Sequence, residues 1–80
     1  MTTTPNPLGG YNLTRVSVLS GKEHTLRLPT LTEAKLPWLD REHRNLYNVN
    51  IQDVLPELSP EEREFVLNGV TSDEWKLLIA

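Results

Sequence analysis

Between Leu13 and Leu28 the apolar positions recur every second residue: Val16 and Val18 alternate with Arg15 and Ser17, and Leu26 and Leu28 with Thr25 and Arg27. A period of two predicts a strand pair with one wet face. Ser20-Gly21-Lys22-Glu23 supplies the turn. Because a two-stranded hairpin is marginal by itself, Val16, Val18, Leu26 and Leu28 are expected to pack on helices or on another molecule. Arg15, Lys22 and Arg27 discourage uncontrolled pairing at the strand edges.

Beyond the hairpin the pattern turns helical and is punctuated by caps. Thr30 is followed three residues on by Glu33, Ser59 by Glu62 and Thr71 by Glu74, each with the spacing of a capping box. The helix opened at Thr30 would carry Leu31, Ala34, Leu36, Trp38 and Leu39. Pro37 removes an N–H and clashes one turn back, so a short first turn and then a kink or a restart at Pro37, running to about His43, are predicted. Residues 44–50 read as connection, and Ile51 to Leu55 as a single turn ended by Pro56. Pro60 suits the first position of the next helix, with Glu61, Glu62 and Glu64 on its polar face and Phe65 and Val66 for burial. Asn68-Gly69 is the stop, since glycine takes the left-handed conformation at C′ without a Cβ penalty. Val70 and Trp75 match a hydrophobic staple at the entry to the last helix, where Trp75, Leu78 and Ile79 share a face.

Residues 1–12, with two prolines, two glycines and three threonines and no apolar period, read as an N-terminal arm. Residues 13–80 read as one small α+β domain: an N-terminal β-hairpin followed by three or four short helices. The expected core is Val16, Val18, Leu26, Leu28, Leu36, Leu39, Ile51, Leu55, Leu58, Phe65, Val66 and Trp75. With 80 residues in all, such a domain buries a modest fraction of its surface.

Charge and composition narrow the classes of function. Eleven acids against eight bases disfavour a general phosphate-binding surface, so no nucleic-acid partner is expected. The acids are too dispersed for a mimic of DNA. Without cysteine there is no disulfide framework or thiolate metal site, and the cytosol is the default compartment. No apolar run approaches the ~20 residues of a membrane span, and the N-terminus lacks the regions of a signal peptide.

Ile51-Gln52-Asp53, Leu55-Pro56, Leu58-Ser59, Glu62-Arg63-Glu64-Phe65, Asn68-Gly69-Val70-Thr71 and Glu74-Trp75 together resemble the closing segment of a family of short bacteriophage proteins that mostly carry no functional name. The likeness is specific over residues 51–75 and holds elsewhere only in outline, as a short hairpin and one helix upstream. The chain departs from the pattern at Lys76, where an acid often follows the tryptophan, and in its more apolar end from Leu77 to Ala80. The resemblance implies a phage origin and carries no catalytic residue over.

Few residues suggest chemistry. Asp40, Glu42 and His43 form the tightest group of metal-ligand types, yet a tight site needs a third or fourth rigid ligand, so a solvated charged surface is expected and no metal or other cofactor. Glu61, Glu62 and Glu64 are explained by capping and the helix dipole rather than by acid–base work. Neither Gly9-Gly10 nor Ser20-Gly21-Lys22 has the spacing of a phosphate loop, and no serine has a recognisable histidine partner. The remaining candidates are contact residues. Arg63 is either an ion-pair partner of Asp53 or Glu57 or an anchor for a partner. Trp38 and Trp75 are either core or, if half exposed, hot spots. Leu77 and Leu78 close the chain with an apolar face that one helix side cannot wholly bury. The expected function is that of a non-catalytic bacteriophage accessory protein binding another protein, a bacterial host factor in the host cytoplasm. The alternative is a minor structural component of the phage particle, held in place in the virion by its N-terminal arm.

Overall fold

The computed structural model describes residues 1–79, with side chains through Leu77. Three strands, β1 (Thr2–Pro5), β2 (Tyr11–Val16) and β3 (Glu23–Leu28), form an antiparallel meander in the order β1-β2-β3. A 3₁₀ helix (Glu33–Leu39) and four α-helices follow: α1 (Arg41–Leu46), α2 (Ile51–Val54), α3 (Pro60–Asn68) and α4 (Ser72–Ile79). The chain is thus a small α+β domain, with the sheet first and the short helices after it.

The expected arm is not separate from the domain. Thr2 to Pro5 pair with Tyr11 to Thr14, which suits a run of β-branched threonines closed by a proline at the end of an edge strand. Between these strands Asn6 N–H donates to Gly10 O (3.1 Å) and Gly9 N–H to Asn6 O (2.9 Å). Arg27, across the sheet, clamps the loop through the carbonyls of Leu8 and Gly9.

The hairpin forms with its second strand facing as expected, Leu26 and Leu28 inward, but with its first strand in the opposite parity. Leu13 stands across from Leu26, and Arg15 across from His24, so Tyr11, Leu13, Arg15, Leu26 and Leu28 share the side facing α3. Val16 is 52 % and Val18 67 % exposed. A strand's side-chain period of two makes parity decisive, and here polar groups occupy the inward positions near the turn. The Arg15 guanidinium donates to the Val66 carbonyl, and the buried Ser17 hydroxyl accepts from Leu19 N–H (3.2 Å). With those partners both residues tolerate burial, which frees Val16 and Val18 to face outward.

Local chemistry explains the helices. Ser59 caps α3 in a complete box: its hydroxyl accepts from Glu62 N–H at 3.2 Å and the Glu62 carboxylate accepts from Ser59 N–H at 2.7 Å. Gly69 ends α3 with φ of 73° and donates to Phe65 O. The box expected at Thr30 is not made. Thr32 precedes the 3₁₀ helix without a side-chain bond, and the Thr30 hydroxyl points to Glu57 O at 3.5 Å. Pro37 does not break the segment, which adopts the tighter 3₁₀ form; Asp40 then caps α1. The core comprises Leu13, Leu28, Leu31, Leu39, Leu55, Leu58, Phe65 and Val66. Leu26, Leu36 and Ile51 are partly buried against it. Trp75, expected in the core, is 41 % exposed, and at the α3–α4 corner Val70 is buried in its place. Among the described residues no helix is long and apolar enough to cross a membrane.

Candidate interaction surface

The turn after β2 and the corner between α3 and α4 are held face to face by backbone. Val18 N–H donates to Asn68 O at 3.0 Å, and Gly69 lies so close to Val16 and Ser17 that no side chain fits between them. This apposition leaves a groove of about 600 Å³. Its floor is Leu26, Phe65 and Val70, with Leu19 and Leu77 at its sides. A shallower cleft of about 430 Å³ adjoins it around the first turn of α4, sharing Glu61, Val70 and Ser72 and adding Trp75 and Lys76. Leu77 is 80 % exposed and Leu19 48 %. A rim of large apolar side chains around a concave apolar floor can take up an apolar group and exclude water from its flanks.

A polar latch spans the groove. The Ser20 hydroxyl donates to Glu74 Oε2, and His24 Nε2 lies 3.2 Å from the same oxygen. These contacts draw the Glu74 carboxyl from its ordinary 4.5 down to about 2; the Ser20 hydroxyl contributes most, then the Ser17 hydroxyl, with His24 adding less and burial opposing. Thr71 makes only half of its expected capping box. Its hydroxyl accepts from Glu74 N–H at 3.2 Å, but the Glu74 carboxylate has turned away to the latch. In a hydrolytic triad the imidazole stands between hydroxyl and carboxylate; here the carboxylate stands between the other two. The geometry therefore ties the turn to α4 and directs the Ser20 hydroxyl at a weakly basic carboxylate rather than at the imidazole.

The contact residues expected from the sequence fall in different places. Trp75 and Leu77 lie on the adjoining clefts around α4. The side chain of Leu78 lies outside the described residues, as does Ala80. Arg63 forms neither of the ion pairs considered for it: its guanidinium donates to Leu58 O at 2.7 Å, securing the loop before α3. Trp38 is half-buried and packs edge-on against His43 (4.6 Å between ring centroids) and Tyr47 (5.6 Å). It lines neither cleft. Asp40 spends a carboxylate oxygen on Glu42 N–H, and among the described residues no group of three ligand-type side chains could hold a metal ion. Leu19, Ser20 and His24 were not expected at a surface site. The parity of the strands could have flagged Leu19, but nothing local links Ser20 or His24 to a residue fifty positions away.

The chain matches no protein-family model, and no curated protein or solved structure is significantly similar to it.

Proposed function

We propose that this chain is a small, non-catalytic bacteriophage accessory protein that acts in the host cytoplasm by binding a bacterial protein, through the groove between the β2–β3 turn and α4. The observation that carries this reading is the exposure of Leu19, Trp75 and Leu77 around the two adjoining clefts. A domain with so small a core keeps large apolar groups in water at a cost, and a partner that covers them offsets it. Acids outnumber bases on the clefts, Glu61, Glu64, Asp73 and Glu74 against Lys22 and Lys76, so the partner best suited is an apolar segment flanked by basic residues. The non-catalytic part of the reading is supported by the latch, which pairs the Ser20 hydroxyl with a carboxylate too weakly basic to take its proton. The phage origin rests on the resemblance over residues 51–75.

A particle component held by a free arm is the weaker reading, because Thr2 to Pro5 are paired within the sheet. A photo-crosslinking residue placed separately at Leu19, Leu77 and Leu8 tests the choice in infected cells. One host protein crosslinked from Leu19 and Leu77, but not from Leu8 on the remote β1–β2 loop, is the expected result. Equal yields from all three positions, or stoichiometric incorporation into purified particles, would overturn it.

A further inference from the structure

Away from the groove, three arginines converge in a chain whose net charge is −3. Arg15 from β2 and Arg41 and Arg44 from α1 line one cleft of about 400 Å³, with Asp40 as its single acid and Val16 and Leu67 at its edges. No residue of this cleft lines the groove. Arg44 is only 5 % exposed; it donates to Trp38 O at 2.6 Å, as Arg15 does to Val66 O. Each guanidinium has five N–H donors, so these bonds leave others free. Among the described residues none of the three arginines forms an ion pair. Asp40 is the one opposing charge in the cleft, and one of its oxygens caps α1 through Glu42 N–H. Burial depresses the Arg44 pKa, Asp40 opposes this, and the charges of Arg15 and Arg41 push it further down. A like-charge cluster around a buried cation is unfavourable by itself, and an anion seated in the cleft would relieve it.

We infer that this cleft binds the carboxylate of an acidic side chain on a partner protein, with a neighbouring apolar residue of the same segment resting on Val16 and Leu67. Planar guanidinium groups match a carboxylate in two-point hydrogen bonding. Val16 and Leu67 are 52 % and 45 % exposed, an apolar border that suits a peptide. The net acidity of the chain works against an extended polyphosphate. The site stands independently of the groove, and its test uses the isolated chain.

Two-dimensional NMR of the ¹⁵N-labelled protein, following the arginine Nε–H resonances at constant ionic strength, reads the site directly. The probes are acetyl-Leu-Glu-Leu-amide, its Gln counterpart acetyl-Leu-Gln-Leu-amide, and inorganic phosphate. Saturable shifts at Arg41 and Arg44 with the Glu peptide alone are expected. Arg41→Gln should weaken binding about tenfold, the effect of one charge-assisted hydrogen bond, while Lys35→Gln, at a lysine that lines neither this cleft nor the groove, leaves it unchanged. Arg41 is exposed, so its replacement spares the fold, and the rest of the spectrum verifies this. Absence of saturation, equal response to the Gln peptide, saturation by phosphate but not by peptide, or equal weakening by Lys35→Gln would each overturn the assignment.

Discussion

Replacing Gly69 with alanine tests how the α3–α4 corner is built, because the residue is constrained twice. Its φ of 73° lies in the left-handed region, which costs a residue with a Cβ about 1–2 kcal/mol. A Cβ there would also stand 2.5 Å from Val16 O and 2.8 Å from Val16 C, so the β2 backbone or the corner must move. Forced overpacking of this kind costs a further ~1–3 kcal/mol. Gly21 is the matched control. Its φ is 72°, yet nothing lies within 4 Å of the Cβ it would gain, so Gly21→Ala carries the backbone cost alone. Urea unfolding followed by circular dichroism measures both. With a slope of ~1 kcal/mol per molar for a chain this small, Gly21→Ala should lower the midpoint by about 1–2 M and Gly69→Ala by about twice as much. Against a total stability of about 4–12 kcal/mol for this length, the second variant loses a large fraction of its reserve. Equal shifts for the two alanines would refute the close apposition of the corner and the end of β2, and with it the wall of the groove.

The Glu74 latch predicts a particular pH dependence. A carboxyl held at about 2 instead of 4.5 contributes stability that is fully present above 4.5 and is lost as pH falls toward 2. The difference in urea midpoint between the parent and Glu74→Gln should therefore shrink over that interval, and a difference constant with pH would remove the latch. Ser59→Ala should cost about 1 kcal/mol through loss of the α3 cap, measured by the same unfolding curve. Strand parity predicts that Val16→Thr changes stability by less than ~0.5 kcal/mol, whereas Leu13→Ala costs about 2–5 kcal/mol. Reversal of that order would restore the opposite face assignment.

Where structure is set by neighbours in the chain, the sequence was readable. Ser59, Pro60, Glu62 and Gly69 specify the start and stop of α3 through contacts no more than four residues apart, and the hairpin followed from a period-two pattern. The inward face of its first strand did not. Val16 and Val18 lost the inward positions because Arg15 finds the Val66 carbonyl and Ser17 bonds to its own turn, partnerships that hydrophobicity alone does not reveal. The Thr2–Pro5 strand was hidden by composition, although its β-branched residues and the glycine pair at Gly9-Gly10 are local hairpin signals. At the candidate surface, Leu77 was read as excess apolar area on a short helix, whereas Trp75 was placed in the core. The Ser20–Glu74–His24 latch depends on long-range register and was not legible, and the capping spacing had assigned Glu74 a different bond.

The proposed binding face is tested most directly by affinity, once a crosslinked host protein has been purified. Isothermal titration of that protein against the parent chain, Leu77→Glu and Leu8→Glu compares two leucines of nearly equal exposure, 80 % and 81 %. A charge in the groove wall should weaken binding by at least about tenfold, the loss typical of a contact hot spot, while the same charge on the β1–β2 loop should leave affinity unchanged. Equal affinities for all three chains, or weakening by Leu8→Glu alone, would contradict binding through α4.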